Sequence, residues 1–226
     1  MRLWPLLVLL AGCDLVFTVN VKSEPGQIIF TQTNSTDTKP GALNQTRLLS
    51  PTSEGNLLIV AVDWSGLGVN FVSIDDTAHD AFELAAGEVN EGDLHARLYY
   101  AENIAGGDST VTIVLSGESP SLEVYVHEYT GVATDEAFDN GSQAHDAFGG
   151  DVTTGGALLD SPRELVFGFG VSGSVTPGDG FIARSVLNSN LTEDLISGEP
   201  GAYAATATAS GRWTLLMAGF RAAPAR

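Results

Sequence analysis

From residue 27 onward the chain breaks into short apolar runs separated by Gly, Pro, Asn, Asp and Ser, and no stretch keeps an apolar face at helical spacing for three turns. Without helices there are no crossovers to set strands parallel, so the runs must pair antiparallel and bury their faces against another sheet. The runs are residues 27–32 (QIIFTQ), 56–63 (NLLIVAVD), 69–74 (VNFVSI), 96–102 (ARLYYAE), 109–116 (STVTIVLS), 121–129 (SLEVYVHEY), 163–171 (RELVFGFGV), 201–209 (GAYAATATA) and 212–221 (RWTLLMAGFR). The fold class they predict is all-β: an antiparallel β-sandwich, jelly-roll-like, in a single domain over residues 27–226.

The runs differ in their burial signals. NLLIVAV and ELVFGFGV are almost continuously apolar, as expected of central strands covered on both sides, whereas SLEVYVHEY alternates, as expected of a strand with one wet face. On that strand Leu122, Val124, Val126 and Glu128 share one face, and Glu123, Tyr125, His127 and Tyr129 share the other. Glu128 at the end of an aliphatic face should find a hydrogen-bond partner.

There is an internal echo. Residues 48–66 (LLSPTSEGNLLIVAVDWSG) and 158–173 (LLDSPRELVFGFGVSG) both run from a Leu-Leu pair through a Ser-Pro turn into a buried strand ending at Ser-Gly. ARLYYAENIAGGDSTVTIVLSG and GAYAATATASGRWTLLMAGFRA both read as hairpins, and together the echoes suggest two related halves of one sandwich. The polar stretch 33–53 reads as a loop leaving the first strand. The Asn-x-Ser/Thr triplets headed by Asn34, Asn44, Asn140 and Asn190 read as chance matches in a Ser/Thr-rich chain.

Charge narrows the partners. Ten basic against 28 acidic residues give a formal charge of -18, which repels phosphate backbones and excludes nucleic acid as a partner. Such a surface suits a saline or extracellular medium and attracts divalent cations.

The single cysteine, Cys13, excludes an internal disulfide and follows an export-like segment. Arg2 is a minimal positive region, residues 3–10 are apolar apart from Pro5, and Ala11-Gly12 are small. That run is too short to span a bilayer as a helix. Leu10-Ala11-Gly12-Cys13 resembles the bacterial lipobox, which implies cleavage before Cys13 and acylation of its sulfur and nitrogen. Two or more acyl chains give stable anchoring where one does not. Residues 1–12 are then a lipoprotein signal peptide, and 13–26 an anchor with a short tether or first strand. The alternative is a buried thiol in a first strand, in keeping with the apolar LVFTVNV that follows. Asp14 resembles the residue that retains some lipoproteins in the inner membrane, a rule that varies between lineages.

The order GNLLIVAV, VSIDDTAHDAFELAAG, LYYAENIAGGDSTVTIVLSG, LEVYVHEYTGV and WTLLMAGFRA resembles a recurring β-sandwich domain of bacterial secreted and surface proteins. The resemblance covers most of the chain after Gly55. It implies extracellular display with adhesive or glycan-binding work, and carries over no site residues.

Catalytic signatures are sparse. The G-x-G-x-x-G at 168–173 follows a strand but leads into SVTPGDG, a poor helix start, so its glycines serve close strand packing or a bulge. No G-x-S-x-G occurs, and no E-x-D-x-x-E strand presents paired carboxylates. Glu123 and Glu128 are an odd number apart and fall on opposite faces of a strand.

Ala-His-Asp-Ala-Phe occurs twice, at 78–82 and 144–148. Asp75, Asp76, His79 and Asp80 crowd one loop; Asp135, Glu136, Asp139, Asp146 and Asp151 crowd another. Asp75, Asp76 and Asp80 are candidate ligands for Ca²⁺, which takes six to eight oxygens, and a His-containing transition-metal site is the variant. The competing reading is that these are ordinary turn residues. Carbohydrate recognition would use exposed aromatics, for which Trp64, Tyr125 and Tyr129 are the candidates, whereas Trp213 reads as core.

The expected function is a non-enzymatic, lipid-anchored cell-envelope module, exported from the cytoplasm, that touches the membrane only through its lipid and displays a β-sandwich for a glycan or envelope protein. A structural subunit that binds its own neighbours is one alternative. An extracellular polysaccharide hydrolase or lyase is another, which carboxylates converging in one cleft would favour.

Overall fold

The two most apolar runs become central strands with no wet face. In the computed structural model, which describes residues 26–91 and 93–224, the chain is all-β. The first half contains β1 (Ile29–Thr38), β2 (Gly41–Arg47), β3 (Leu57–Ser65), β4 (Phe71–Asp76), β5 (Glu83–Glu91), β6 (Leu94–Ala101), β7 (Thr110–Ser119) and β8 (Leu122–Thr130). They form a five-stranded sheet ordered β1-β8-β3-β6-β5 and a three-stranded sheet ordered β2-β7-β4. All pairings are antiparallel, with β1 on β8, β2 on β7 and β3 on β6.

The second half contains β9 (Phe138–Asp146), β10 (Gly150–Thr153), β11 (Ala157–Leu159), β12 (Leu165–Ser172), β13 (Val175–Pro177), β14 (Ile182–Leu187), β15 (Asn190–Ile196), β16 (Gly201–Tyr203), β17 (Thr206–Ala209) and β18 (Trp213–Phe220). Its five-stranded sheet, read as β9-β18-β12-β15-β14, and its three-stranded sheet β10-β17-β13 repeat the order of the first half strand for strand. The short pair β11-β16 has a counterpart in the isolated bridge between Thr52 and Gly107. The sequence echo therefore marks two complete two-sheet sandwiches rather than two halves of one. Its first member is in register, since both segments lead into a central strand. Its second is not, because the segment ending in WTLLMAGFRA holds β16 to β18 and corresponds to β7 and β8.

Four sheets are stacked by three apolar layers. Leu58, Val60, Val62 and Trp64 of β3 pack with Val111, Ile113 and Leu115 of β7 inside the first half. Val166, Leu215 and Met217 pack with Val152, Val175 and Ala207 inside the second. Between them the two five-stranded sheets meet through Leu57, Ile59, Ala61 and Tyr125 against Leu165, Phe167, Phe169 and Leu216. β3 and β12 are thus buried on both faces, and alternate residues supply different layers.

The same stacking corrects the expectation for β8. Its Glu123, Tyr125, His127 and Tyr129 face is not wet but faces the central seam, and all four residues are buried. Tyr129 donates to Asp194 Oδ2 across the seam at 2.7 Å, and Arg184 Nε donates to the same oxygen at 2.7 Å. Glu128, on the other face, accepts from Asn56 Nδ2 at 2.6 Å, Ser53 N at 2.9 Å and Gln32 Nε2 at 2.7 Å, as expected of a buried carboxylate.

At the seam edges β1 lies against β14, and β5 lies against β9. Because β1 corresponds to β9 and β5 to β14, the contact is self-complementary, as in an isologous dimer made within one chain. The polar stretch 33–53 is a loop only after Arg47: before that it completes β1, turns at Lys39-Pro40 and forms β2. Threonines and Asn44 make this polar sequence cohere, Thr36 Oγ1 donating to Asn44 Oδ1 at 2.8 Å.

Candidate functional site

At one end of the central seam the two five-stranded sheets part and leave a cleft of about 530 Å³. Its walls are pseudo-symmetric. Aligning the halves through Leu57 with Leu165 and their partners Tyr129 with Phe220 places Asp63, Trp64 and Ser65 of β3 over Val171, Ser172 and Gly173 at the end of β12. Both triplets line the cleft, as do the corresponding pairs Leu94 with Asn188 and Ser121 with Arg212.

The chemistry is not symmetric. Asp37 on β1 is directly opposite Glu123 on β8, which is directly opposite Asp63 on β3, so three carboxyl groups stand in one row across adjacent strands. Like charges in directly opposed positions destabilise a sheet. The corresponding row of the second half is His145, Thr214 and Val171, so the fold does not require acids there.

Neighbours from both halves hold the row. Tyr125 donates its hydroxyl to Glu123 Oε2 at 2.7 Å, and Asn190 Nδ2 donates to the same oxygen at 3.0 Å. Asn188 Nδ2 donates to Glu123 Oε1 and to Asp37 Oδ2, each at 2.8 Å. Lys39 Nζ is 2.8 Å from Asp37 Oδ2 and 3.5 Å from Glu123 Oε1. The hydrogen bond that it donates to Asp37, aided by the charges of Asp37 and Glu123, holds the Lys39 ammonium above its ordinary pKa.

Asp63 is treated differently. It is only 4% exposed, its Oδ2 has a single long bond of 3.5 Å from Asn190, and its Oδ1 has no hydrogen-bond partner among the described residues. Burial, reinforced by the charges of Glu123 and Asp37, raises its pKa well above the ordinary aspartate value. The site thus combines a satisfied carboxyl, Glu123, with an unsatisfied one that favours its proton. Arg212 lines the opposite wall and pairs with Asp93 at 3.0 Å.

The aromatic candidates are not sugar platforms. Trp64, Tyr125 and Tyr129 are each at most 1% exposed. The loop after β3 folds over Trp64, whose Nε1 donates to Val69 O at 2.9 Å while its ring stacks on His95. Tyr125 and Tyr129 lie in the seam, and only the Tyr125 hydroxyl reaches the carboxyl row. Trp213 is core, as expected, with Nε1 donating to Phe148 O at 2.9 Å.

The proposed calcium ligands do not converge either. Asp75 and Asp76 are successive residues of β4 and point to opposite faces. Asp75 is exposed and meets His79 Nδ1 at 3.0 Å; Asp76 Oδ1 accepts from Asp80 N, and Asp80 Oδ1 accepts from Ala105 N, each at 2.9 Å. These are turn-closing bonds. Among the described residues no three His, Cys, Asp or Glu side chains are grouped to hold a metal. The two Ala-His-Asp-Ala-Phe segments occupy unrelated places, one between β4 and β5, the other running from β9 towards β10. Gly168 serves packing rather than a nucleotide: a Cβ there would stand 2.9 Å from Glu193 Cγ and 3.2 Å from Ala205 Cβ. Cys13 and the signal-like segment lie outside the described residues.

A second hollow on the outer face of the β10-β17-β13 sheet, lined by Asp151, Thr153, Asp179, Thr206 and Thr208, lacks these features. Thr208 Oγ1 donates to Asp151 Oδ1 at 3.1 Å, and no buried acid lines it. The chain matches no family model, no curated protein and no solved structure.

Proposed function

We propose that this protein is a non-enzymatic, lipid-anchored envelope module that binds a glycan in the cleft at the end of the seam. The observation that carries the reading is Asp63: a buried carboxyl with an unused oxygen, lining a cleft that also presents the hydroxyls and amides of Ser65, Ser121, Ser172, Asn188 and Asn190 beside the charged groups of Lys39, Glu123 and Arg212. Such groups match the alternating donors and acceptors of a sugar ring, and leaving the oxygen unmatched costs about 1–3 kcal/mol. Glu123 is held by Tyr125, Asn188 and Asn190, which suits a fixed acceptor rather than an attacking group.

The direction of β1 supports display. The described chain enters at Gly26, whose N–H bonds to Ala223 O, and β1 runs ten residues from there to the cleft at Lys39, roughly 33 Å. With Cys13 acylated, as Leu10-Ala11-Gly12-Cys13 suggests, the tether joins the described chain at Gly26, at the end of β1 away from the cleft. Calorimetric titration of neutral oligosaccharides into the wild type and Asp63→Asn tests the reading. Saturable binding weakened by the substitution supports it, and no binding to any sugar overturns it.

A hydrolase is the second reading, favoured by two carboxyl groups directly opposite each other, Asp63 and Glu123, in one cleft. Release of reducing ends from a polysaccharide, abolished by Asp63→Asn, would select it.

A further inference from the structure

Resting on that glycan-binding reading, we propose that the bound unit is an amino sugar, whose ammonium group docks on the Asp37–Glu123–Asp63 row. The row sets three carboxyl groups against one contacting cation, Lys39, because the other basic residue of the cleft, Arg212, is engaged by Asp93. Tyr125, Asn188 and Asn190 already serve Glu123, whereas Asp63 Oδ1 has no donor among the described residues. A docked ammonium takes the place of the proton that burial makes Asp63 favour.

Independently of the charge count, Asp63 lines the cleft, and its Oδ1, itself buried, has no hydrogen-bond partner among the described residues. An ammonium brings three N–H donors and a full charge. One donor satisfies Oδ1 and the charge offsets the row, whereas a neutral hydroxyl supplies only the first and a uronate is repelled. Sugar hydroxyls then face the serines and the Asn188 amide around the rim. The second half keeps the same backbone with His145, Thr214 and Val171, so the feature that selects the amine belongs to the first half alone.

The test is calorimetric titration of the whole chain with a chitosan tetramer, its fully N-acetylated counterpart and a uronic acid tetramer, at physiological ionic strength. The expected result is that the free-amine oligomer binds about tenfold or more tightly than the acetylated one, a difference of about 1.4 kcal/mol, and that the uronate does not bind. Asp63→Asn and, separately, Asp37→Asn should reduce the preference while leaving binding of the acetylated oligomer measurable. Equal affinity for amine and acetylated forms, or a preference for the uronate, overturns the inference and leaves the glycan reading in place. A preference for the amine unchanged in both variants also overturns it, because it traces the effect to the overall negative charge of the chain. Failure of all three oligomers to bind overturns the inference, and the titration of other neutral oligosaccharides then decides the glycan reading.

Discussion

Asp63 on β3 stands directly opposite Glu123 on β8, whereas the corresponding residues of the second half are Val171 opposite Thr214. One chain thus contains the same backbone position built twice, once with acids and once without. A buried acid without a full set of partners is a cost to stability. Its presence in only one copy argues that it serves something other than folding.

Asp63→Val, which copies the second half, should therefore stabilise the protein by about 1–4 kcal/mol at neutral pH while removing ligand binding. Urea denaturation read alongside the sugar titration checks both. A destabilised variant would assign Asp63 to the scaffold.

Trp64 should matter for folding rather than as a sugar-stacking surface. It is fully buried between the sheets of the first half, so Trp64→Ala should cost about 3–5 kcal/mol. The unfolding midpoint is the measurement.

His127 should make the fold acid-sensitive. It is buried in the seam beside Phe30 and Phe167, and neither ring nitrogen has a hydrogen-bond partner among the described residues. Burial, with a smaller effect from the Arg184 charge, lowers its pKa from 6.5 to about 3. The unfolded chain takes up the proton near 6.5 while the folded chain resists it. The contribution, on the order of 5 kcal/mol at most, is present above 6.5 and is lost as pH falls towards 3. Replacing His127 with Leu should flatten the loss of stability across that window, measured as the urea midpoint against pH.

Glu193 acts in the opposite direction. It is buried between β15 and the strands above it, and burial raises its pKa to about 7, against a bond from Gly178 N, with the Asp194 charge adding to the rise. A raised carboxyl pKa means stability present below the unfolded value and lost as pH rises from 4.5 to about 7. Glu193→Gln should therefore stabilise above pH 7 by up to about 3 kcal/mol and change little at pH 4. Thermal melts at the two pH values check the sign.

The strands were legible because their alternation and turn residues are local signals. The apolar run predicts a strand at 163–171, and β12 spans Leu165–Ser172. The four-layer stack was only half visible: continuous apolar runs announced β3 and β12, but Glu123 and His127 made the seam-facing side of β8 look wet. The carboxyl row was hidden because Asp37, Asp63 and Glu123 lie far apart in the chain and meet only through strand pairing. The available signal was Asp63 itself, a charge set inside the apolar run LLIVAVDW. The aromatic candidates failed because a strand end beside Ser-Gly resembles a rim, and only the fold reveals that the following loop returns to cover Trp64.

The cleft at the end of the seam is the proposed binding site. The most direct test is to follow backbone amide NMR shifts while a chitosan tetramer is titrated into the protein. Saturable shifts centred on Asp37, Asp63, Glu123, Asn188 and Asn190, absent in Asp63→Val, are the predicted result. Shifts centred elsewhere, such as the threonine-lined face of β17, or none at saturating sugar, would contradict it.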